Sequence, residues 1–215
     1  MRKIVRLNSN SSIFNNRSNL ILSTAQGISD VLSIQGYDPI IATGGEATAQ
    51  LIDSLEFLDF DITRKQINLN QYLGRLASST NLATTEQADY LLTDLDLYSD
   101  GTNFVFGVTL ADWQLSVQSI HRFTQTGGGD SMQEKLATHI ARHEFAHMAG
   151  LNQPSDYANP DRRGGLYQGH CANLCTMHQI MSPKDAIGLV HKLNGQANAG
   201  FCKSCVNTLR NKSRK

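Results

Sequence analysis

The sequence predicts an α+β fold in which a twisted mixed sheet packs against helices and is followed by a small irregular C-terminal lobe. Three observations predict it. Helical and strand-like stretches alternate through the first half of the chain, a long helical pattern follows them, and the C-terminal part carries glycine, proline and cysteine in place of regular periodicity. We expect one domain, with residues 1–150 as an α/β-like upper lobe, residues 151–215 as a lower lobe, and a cleft between them.

The elements of the upper lobe follow from hydrophobic periodicity and from the residues that begin and end helices. Strands are predicted at Ile4–Leu7, Tyr37–Thr43, Asp89–Leu95, Asn103–Leu110 and Ser116–Phe123, and the third and fourth of these are apolar enough to be interior. Helices are predicted at Leu20–Gln35, which Gly36 ends, at Glu46–Leu58 and at Asn68–Ser78. The segment Asn8–Asn19, rich in asparagine and serine, predicts a mobile loop.

A longer helix is predicted from about Ser131 to Ala149. Ser131 and Glu134 have the spacing of a capping box, and Gly150 can end the helix in a left-handed conformation. The side chains of one row along this helix recur at steps of three or four residues, which predicts a core-facing row that the two histidines of the helix continue: Met132, Leu136, Ile140, His143 and His147.

This helix carries the pattern His143-Glu144-Phe145-Ala146-His147. Two histidines four residues apart project from one face of a helix, with about 6 Å of axial rise between them, so both imidazoles can bind one ion. Glu144 points toward the open side of that ion, where it can take a proton from a zinc-bound water. The pattern therefore predicts a zinc ion held by His143 and His147, with Glu144 as the general base.

A third ligand is expected after Gly150, the glycine at which longer forms of this motif turn the chain. Gln153 occupies the position where a histidine would complete the standard spacing, and its amide is a poor zinc ligand. The next histidine is His170, which follows a segment rich in proline and glycine that predicts an inserted loop. Such a loop can return His170 to the metal.

The cysteines form two close pairs, Cys171 with Cys175 and Cys202 with Cys205. This spacing favours a tetrahedral four-thiolate zinc site, closed to water and therefore structural. A disulfide framework is the alternative, but the chain is long and has only 4 cysteines in 215 residues. A closed zinc would also stabilise a lower lobe that buries little apolar area.

Taken together, these motifs resemble the signature of the archaemetzincins. That signature joins a His-Glu-x-x-His-x-x-Gly helix to a His-Cys pair, a second Cys, a Cys-x-Met step and a distal Cys-x-x-Cys, which stand here at His143–Gly150, His170-Cys171, Cys175-Thr176-Met177 and Cys202–Cys205. The likeness covers about residues 60 to 206. The chain departs from the family in the insertion before His170, in three residues rather than four between Cys171 and Cys175, and in a longer gap to Cys202.

The resemblance implies a metzincin-like zincin fold and a zinc metallopeptidase that acts on a peptide or protein substrate and binds two zinc ions per chain. By resemblance, the catalytic zinc is bound by His143, His147 and His170. The structural zinc is then bound by Cys171, Cys175, Cys202 and Cys205, and Met177 forms the Met-turn beneath the catalytic metal.

Composition restricts the other partners. Lys plus Arg and Asp plus Glu number 19 each, so charge gives no reason to expect a nucleic acid or a membrane surface as the main partner. The N-terminal residues contain no apolar stretch long enough for export, and we expect a cytoplasmic protein, in keeping with thiolates reserved for a metal. We also expect a monomer.

Two alternatives remain open at this level. The first is a protein of the same fold whose inserted loop, residues 153–169, blocks or gates the cleft, so that zinc binds but turnover is weak or absent; Gln153 motivates it. The second is a zinc-ribbon binding module, which the few basic and aromatic residues between Cys171 and Cys205 disfavour. The donor that stabilises the oxyanion, for which Tyr157 and Tyr167 are candidates, and the choice between internal and amino-terminal cleavage are not fixed by the sequence.

Overall fold

A computed structural model describes residues 2–79, 87–126, 129–151, 170–171 and 173–212. The described strands are β1 Arg2–Ser9, β2 Asp38–Thr43, β3 Phe60–Asp61, β4 Gln66–Asn68, β5 Gln87–Thr93, β6 Leu97–Tyr98, β7 Gly107–Leu110 and β8 Leu115–Ser119. The described α-helices are α1 Ser11–Asn16, α2 Ser18–Gln35, α3 Glu46–Leu58, α4 Leu69–Ser79, α5 Gly129–Met148, α6 Pro183–Leu193 and α7 Lys203–Lys212. Helices and strands of a mixed sheet thus confirm the predicted α+β class.

The main sheet has the strand order β2-β1-β5-β8-β7. Its first four strands are parallel, and β7 runs antiparallel to β8 at the edge. A parallel sheet needs cover on both faces, because successive side chains point to opposite sides. In β5 this alternation sends Tyr90 into the core beneath α2 and α5, and Leu91 into the core formed with α3 and α4.

Helix α5 lies against both α2 and the sheet. Its buried side chains fall into two cores, since Leu136 and Ile140 pack with Leu92, whereas Phe145 packs with Val5 and residues of α2. This packing fixes the axis of α5 relative to β7, the edge strand that runs beside it.

The C-terminal part is more regular than the sequence indicated, so the expectation of an irregular lobe was wrong for its described residues. Ser182 caps α6 by accepting a hydrogen bond from the Asp185 N–H, and Pro183 occupies the first turn, where its missing N–H costs nothing. Helix α7 carries Cys205 and Leu209 into the same core as Phe145. Because both helices bury an apolar face against the rest of the chain, packing stabilises them without a strong sequence signal.

The predicted mobile loop Asn8–Asn19 was also wrong, since it contains α1 and the start of α2. The side chain of Asn10 caps α1 by accepting from the Ile13 N–H at 3.2 Å, and Ile13 is fully buried. An apolar anchor and a cap thus help to order this polar segment, together with hydrogen bonds from Asn10 and Ser12 to Asp94.

Two predicted strands are shorter than expected. The segment Asn103–Leu110 is not an interior strand, because only Gly107–Leu110 pairs as β7, at the sheet edge, and Val105 makes an isolated bridge to Leu97. Ser116–Phe123 ends as a strand at Ser119 and continues as a 3₁₀ turn from His121.

In the part of the chain that is described, no helix combines the length and apolar character needed to cross a bilayer.

Candidate metal centres

The end of α5 shapes the first centre. The helix stops at Met148, and Gly150 follows with φ +105°, a conformation that side chains rarely allow. The reversed chain is closed by a hydrogen bond from the Leu151 N–H to the Ala146 carbonyl, 2.9 Å long. As a result the Leu151 carbonyl turns back and accepts from Nδ1 of His147 at 2.8 Å. The glycine thus sets the orientation of a histidine three residues earlier.

The structure brings together the three histidines that the sequence singled out. Nε2 of His143 lies 3.2 Å from Nε2 of His147 and 3.1 Å from Nε2 of His170, and these ring nitrogens all fall within 4.8 Å of one another. Nitrogens about 2.0–2.1 Å from a tetrahedral zinc ion are about 3.3–3.4 Å apart. The spacing therefore fits one ion bound by three imidazoles with an open fourth position.

Carbonyl groups hold two of the rings in the tautomer that a metal needs. Nδ1 of His143 donates to the Thr176 carbonyl at 2.9 Å, as Nδ1 of His147 does to Leu151, which leaves each Nε2 unprotonated and directed at the centre. Burial, and then the neighbouring His147, lowers the pKa of His143 well below its usual range; burial, and then His170, lowers the pKa of His147 to about 3. Both rings are neutral at physiological pH, and neutral imidazole is the ligating form.

Glu144 lies beside these histidines and against β7. Its carboxylate Oε2 is 3.0 Å from the Thr109 hydroxyl, and the side chain is only 7% exposed. Burial raises the pKa of Glu144 to about 7, and the hydrogen bond from Thr109 opposes this rise. The side chain is thus a nearly enclosed carboxyl next to the open side of the histidine cluster.

A cleft of about 1020 Å³ opens over this cluster. The segment 101–113, which contains β7, lines one side of the cleft, Gln179, Ile180 and Met181 line another, and the three histidines and Glu144 contribute to its surface. Gln153, Tyr157 and Tyr167, together with the whole insertion 153–169, lie outside the described residues.

The four thiols form a second cluster. The Sγ–Sγ distances are 3.8 Å between Cys171 and Cys202, 4.0 Å between Cys175 and Cys205, and 3.6 Å between Cys202 and Cys205. A disulfide would bring two sulfurs to about 2.05 Å. A tetrahedral zinc with Zn–S bonds of about 2.3 Å places its sulfurs about 3.8 Å apart, so the spacing fits a four-thiolate ion, and all four cysteines are free in the structure.

Hydrogen bonds among the thiols shift their pKa values in opposite directions, which favours a bound cation. A hydrogen bond from Cys175 lowers the pKa of Cys171, while bonding to Cys171 raises the pKa values of Cys175 and Cys205. Without a cation, ionisation of Cys171 therefore makes ionisation of Cys175 and Cys205 less favourable. A divalent ion at the middle of the cluster removes this competition, because it stabilises all of the thiolates together.

The two clusters share one short stretch of chain. His170 and Cys171 are adjacent, and the Thr176 carbonyl that accepts from His143 lies between Cys175 and Met177. The Cys171 N–H donates to the Met177 carbonyl at 2.8 Å, which ties the two segments together, and the Met177 side chain is fully buried in the core that contains Phe145.

Sequence reasoning missed three residues around Glu144. They are Gly107 and Thr109 on β7, which lie against Glu144, and Ser116 on β8, which bonds to Thr109; none of them belongs to a motif, and only the tertiary fold brings them to Glu144. The sequence offered one signal, namely that Thr109 and Gly107 interrupt an otherwise apolar strand. Because they are two residues apart, both face the same side of that strand.

Comparison with known proteins bears on this arrangement. No family model matches the chain. Curated relatives do: the archaemetzincin of Pyrococcus furiosus is 28% identical over 149 residues, 65% of this chain and 65% of the relative, and that of Archaeoglobus fulgidus is 27% identical over 119 residues, 55% of this chain and 58% of the relative. The chain is thus similar to two archaemetzincins over part of its length. Its matches span less than two thirds of the length of these two relatives.

Solved structures establish the fold of this protein over nearly the whole chain. The crystal structure of archaemetzincin from Methanopyrus kandleri superposes with a TM-score of 0.67 at 18% identity, covering 100% of this chain and 97% of that one. The structure of a zinc-dependent peptidase from Methanocorpusculum labreanum gives a TM-score of 0.64 at 18% identity, covering 95% and 99%. The predicted zincin-like fold is confirmed by these neighbours.

Proposed function

We propose that this chain is an archaemetzincin, a zinc metallopeptidase that hydrolyses peptide bonds with Glu144 as the general base. The single observation that carries the proposal is the convergence of Nε2 of His143, His147 and His170 at 3.1–3.2 Å, beside a buried glutamate and at the bottom of an open cleft. A structural site closes its fourth position, whereas a catalytic site leaves it open to solvent or substrate.

We further propose that the chain holds two zinc ions. His143, His147 and His170 would bind the catalytic ion, and Cys171, Cys175, Cys202 and Cys205 the structural one. The nitrogen and sulfur spacings both match tetrahedral zinc, which supports the assignment. Zinc bound to three neutral imidazoles keeps its double positive charge, lowers the pKa of a bound water toward neutrality and polarises a carbonyl group.

The side chains of the protein would supply the proton transfers. Glu144, held beside the open position, accepts a proton from the attacking water and delivers it to the leaving amine. Thr176 and Leu151 keep His143 and His147 fixed through their carbonyls during both transfers. Met177 would act as the Met-turn, an apolar side chain buried in the segment that carries the Thr176 carbonyl.

A peptide or protein substrate suits the shape of the cleft. Strand β7 lines it and is the edge of the main sheet, so one side of its main chain is without a partner strand among the described residues. An extended peptide can add to such an edge through main-chain hydrogen bonds, which are independent of its side chains. The scissile bond would then pass close to Glu144, which contacts the same strand.

The test is peptide hydrolysis by Glu144→Gln. We expect a loss of about 10²- to 10⁴-fold in kcat, the usual contribution of a general base, with the zinc content unchanged. Glu134→Gln, at a partly exposed position on the same helix whose side chain accepts a hydrogen bond from Asn19, is the matched control and should keep full activity. Hydrolysis by Glu144→Gln at the rate of the native protein would refute the assignment.

The alternatives receive less support. An inactive relative would be favoured if His170 lay away from the other histidines. Its Nε2 instead lies 3.1 Å from that of His143, which argues against this alternative. A zinc-ribbon module would present its thiols near a binding surface, but Cys171, Cys175 and Cys205 are buried in the core with Phe145. A gating role for residues 153–169, a monomeric state and a cytoplasmic location stay predictions.

A further inference from the structure

The carboxylate of Glu144 is enclosed by a group of residues that no motif identifies. Oε2 lies 3.0 Å from the Thr109 hydroxyl, and the main-chain oxygen of Glu144 lies 2.8 Å from the same hydroxyl. Ser116 completes the group, with its hydroxyl 2.8 Å from that of Thr109 and its side chain fully buried. Three oxygen atoms thus surround one threonine hydroxyl.

Proton counting fixes the direction of these bonds. When Glu144 is ionised, as a general base must be, its carboxylate and its main-chain carbonyl can only accept, so the single hydroxyl proton of Thr109 is shared between these two oxygens. Thr109 then has only lone pairs to offer Ser116, and the Ser116 hydroxyl must be the donor of that bond. The result is an ordered chain, Ser116 to Thr109 to Glu144, in which each hydroxyl polarises the next.

Gly107 lies against another side of the Glu144 carboxylate. A Cβ atom at this position would lie 2.7 Å from Cγ of Glu144 and 2.9 Å from both Cδ and Oε1. Such distances are well inside van der Waals contact, so any side chain there would displace the carboxylate. Gly107 and Thr109 are two residues apart on β7 and therefore face the same side of the strand.

We propose that Gly107, Thr109 and Ser116 form a cradle on β7 and β8 that positions Glu144 for proton transfer, with Thr109 as the principal positioning residue. The inference rests on the proposed peptidase function. In that reaction a base must hold its carboxylate within hydrogen-bond distance of the attacking water, and a displacement of about 1 Å can cost about 100-fold in rate. Without the cradle, Glu144 would be free to rotate into the cleft.

The experiment compares Thr109→Val, which keeps the shape and removes the hydroxyl, with Thr109→Ser, which keeps the hydroxyl. We expect Thr109→Val to lower kcat about 10- to 100-fold with little change in KM or in zinc content, and Thr109→Ser to restore activity to within a few-fold. Ser116→Ala should give a smaller loss in kcat, since it removes only the orienting bond. Gly107→Ala should resemble Thr109→Val, because its methyl group displaces the same carboxylate.

Ser119→Ala is the matched control. It removes a buried hydroxyl of the same sheet, bonded to the Leu95 carbonyl at 2.7 Å and away from Glu144, so it tests for a general loss of stability. We expect it to leave kcat unchanged. If Thr109→Val retains full kcat, or if Ser119→Ala loses as much, the cradle is refuted.

Crystal structures of the zinc-loaded variants separate this proposal from the peptidase assignment. The Glu144 carboxylate should leave β7 in Thr109→Val and stay against it in Thr109→Ser. If the native protein binds zinc but hydrolyses no peptide, the peptidase assignment fails, and the position of the carboxylate in the two variants still decides whether the cradle exists. An unmoved carboxylate in Thr109→Val would overturn it.

Discussion

Nδ1 of His143 lies 2.9 Å from the main-chain oxygen of Thr176, a residue flanked by Cys175 and Met177. One imidazole of the histidine cluster is therefore oriented by a peptide group that directly follows a cysteine of the thiol cluster. His170 is coupled in the same way, since it directly precedes Cys171. The thiol-bearing segments also pack directly against α5, since Cys175 and Cys205 share a core with Phe145.

Cys202→Ser should consequently affect both clusters. We expect it to lose the thiolate-bound ion and to weaken zinc binding by the three histidines about 10- to 100-fold, the usual cost of removing a partner that orients a ligand. Cobalt substitution measures this, because thiolate and imidazole sites give separate absorption bands. Ser204→Ala, exposed on α7 between the two cysteines, is the control. Unchanged affinity of the histidine site in Cys202→Ser would show that the clusters are independent.

His170→Ala should have a local effect in contrast. We expect the variant to lose the ion at the histidines, retain the one at the thiols, and keep its fold. Zinc stoichiometry, measured by elemental analysis of the purified protein, should fall from two to one per chain. His191→Ala, on the exposed face of α6, should retain both ions. Two ions bound by His170→Ala would remove this histidine from the ligand set.

The segment Asn8–Asn19 offers a test of its unexpected helix. Ile13 is fully buried with Leu136 and Ile140, so Ile13→Ala should destabilise the protein by about 2–5 kcal/mol, the usual cost of a large-to-small change in a core. Urea unfolding of the zinc-loaded protein measures the difference. Asn15→Ala, exposed on the same helix, should cost much less. Equal effects of the two substitutions would support a loop.

Glu56 should make stability depend on pH. This side chain is 3% exposed, and burial raises its pKa from 4.5 to about 7 against the opposing hydrogen bonds of Thr93 and Asn10; Asp94 and Asp53 add to the rise. Because the folded state binds the proton more tightly, this contribution to stability is full below pH 4.5 and is lost as the pH rises toward about 7. The total is about 3 kcal/mol at 1.36 kcal/mol per pKa unit.

Glu56→Gln should therefore unfold at higher urea concentration than the native protein at pH 8, with the advantage shrinking toward pH 5. The difference between the two proteins is the quantity to follow, because zinc binding changes with pH equally in both. Glu46→Gln, exposed at the start of the same helix, should show no such trend. A difference that does not vary between pH 5 and 8 would contradict the raised pKa.

What the sequence could predict was mostly local. Helix α3 begins and ends at the predicted residues, and His143 and His147 were identified because a helix fixes their relative positions. Thr109 escaped detection because its contact with Glu144 spans 35 residues and depends on the edge of a sheet meeting a helix. The distance between His170 and His143 likewise depends on tertiary folding. The spacing of these residues along the sequence could therefore only suggest that His170 approaches the other histidines.

Tertiary packing also limited the prediction of three further elements, α6, α7 and the edge strand β7. Their positions depend on which faces the remaining chain leaves to be covered, and intrinsic propensity is a weak guide to that. The strand prediction for Asn103–Leu110 was too long because its apolar residues pack on other elements without pairing: Phe104 and Phe106 contact the core beside Phe123.

The position of Cys202 and Cys205 late in the chain has a consequence for biosynthesis. Helix α5, with two histidines and Glu144, leaves the ribosome before α7 does. In the proposed arrangement, His170 and Thr176 are held in place only after Cys202 and Cys205 have joined Cys171 and Cys175. A nascent chain that has not yet reached Cys202 would therefore lack an ordered histidine cluster, and peptide hydrolysis would begin only after α7 has emerged.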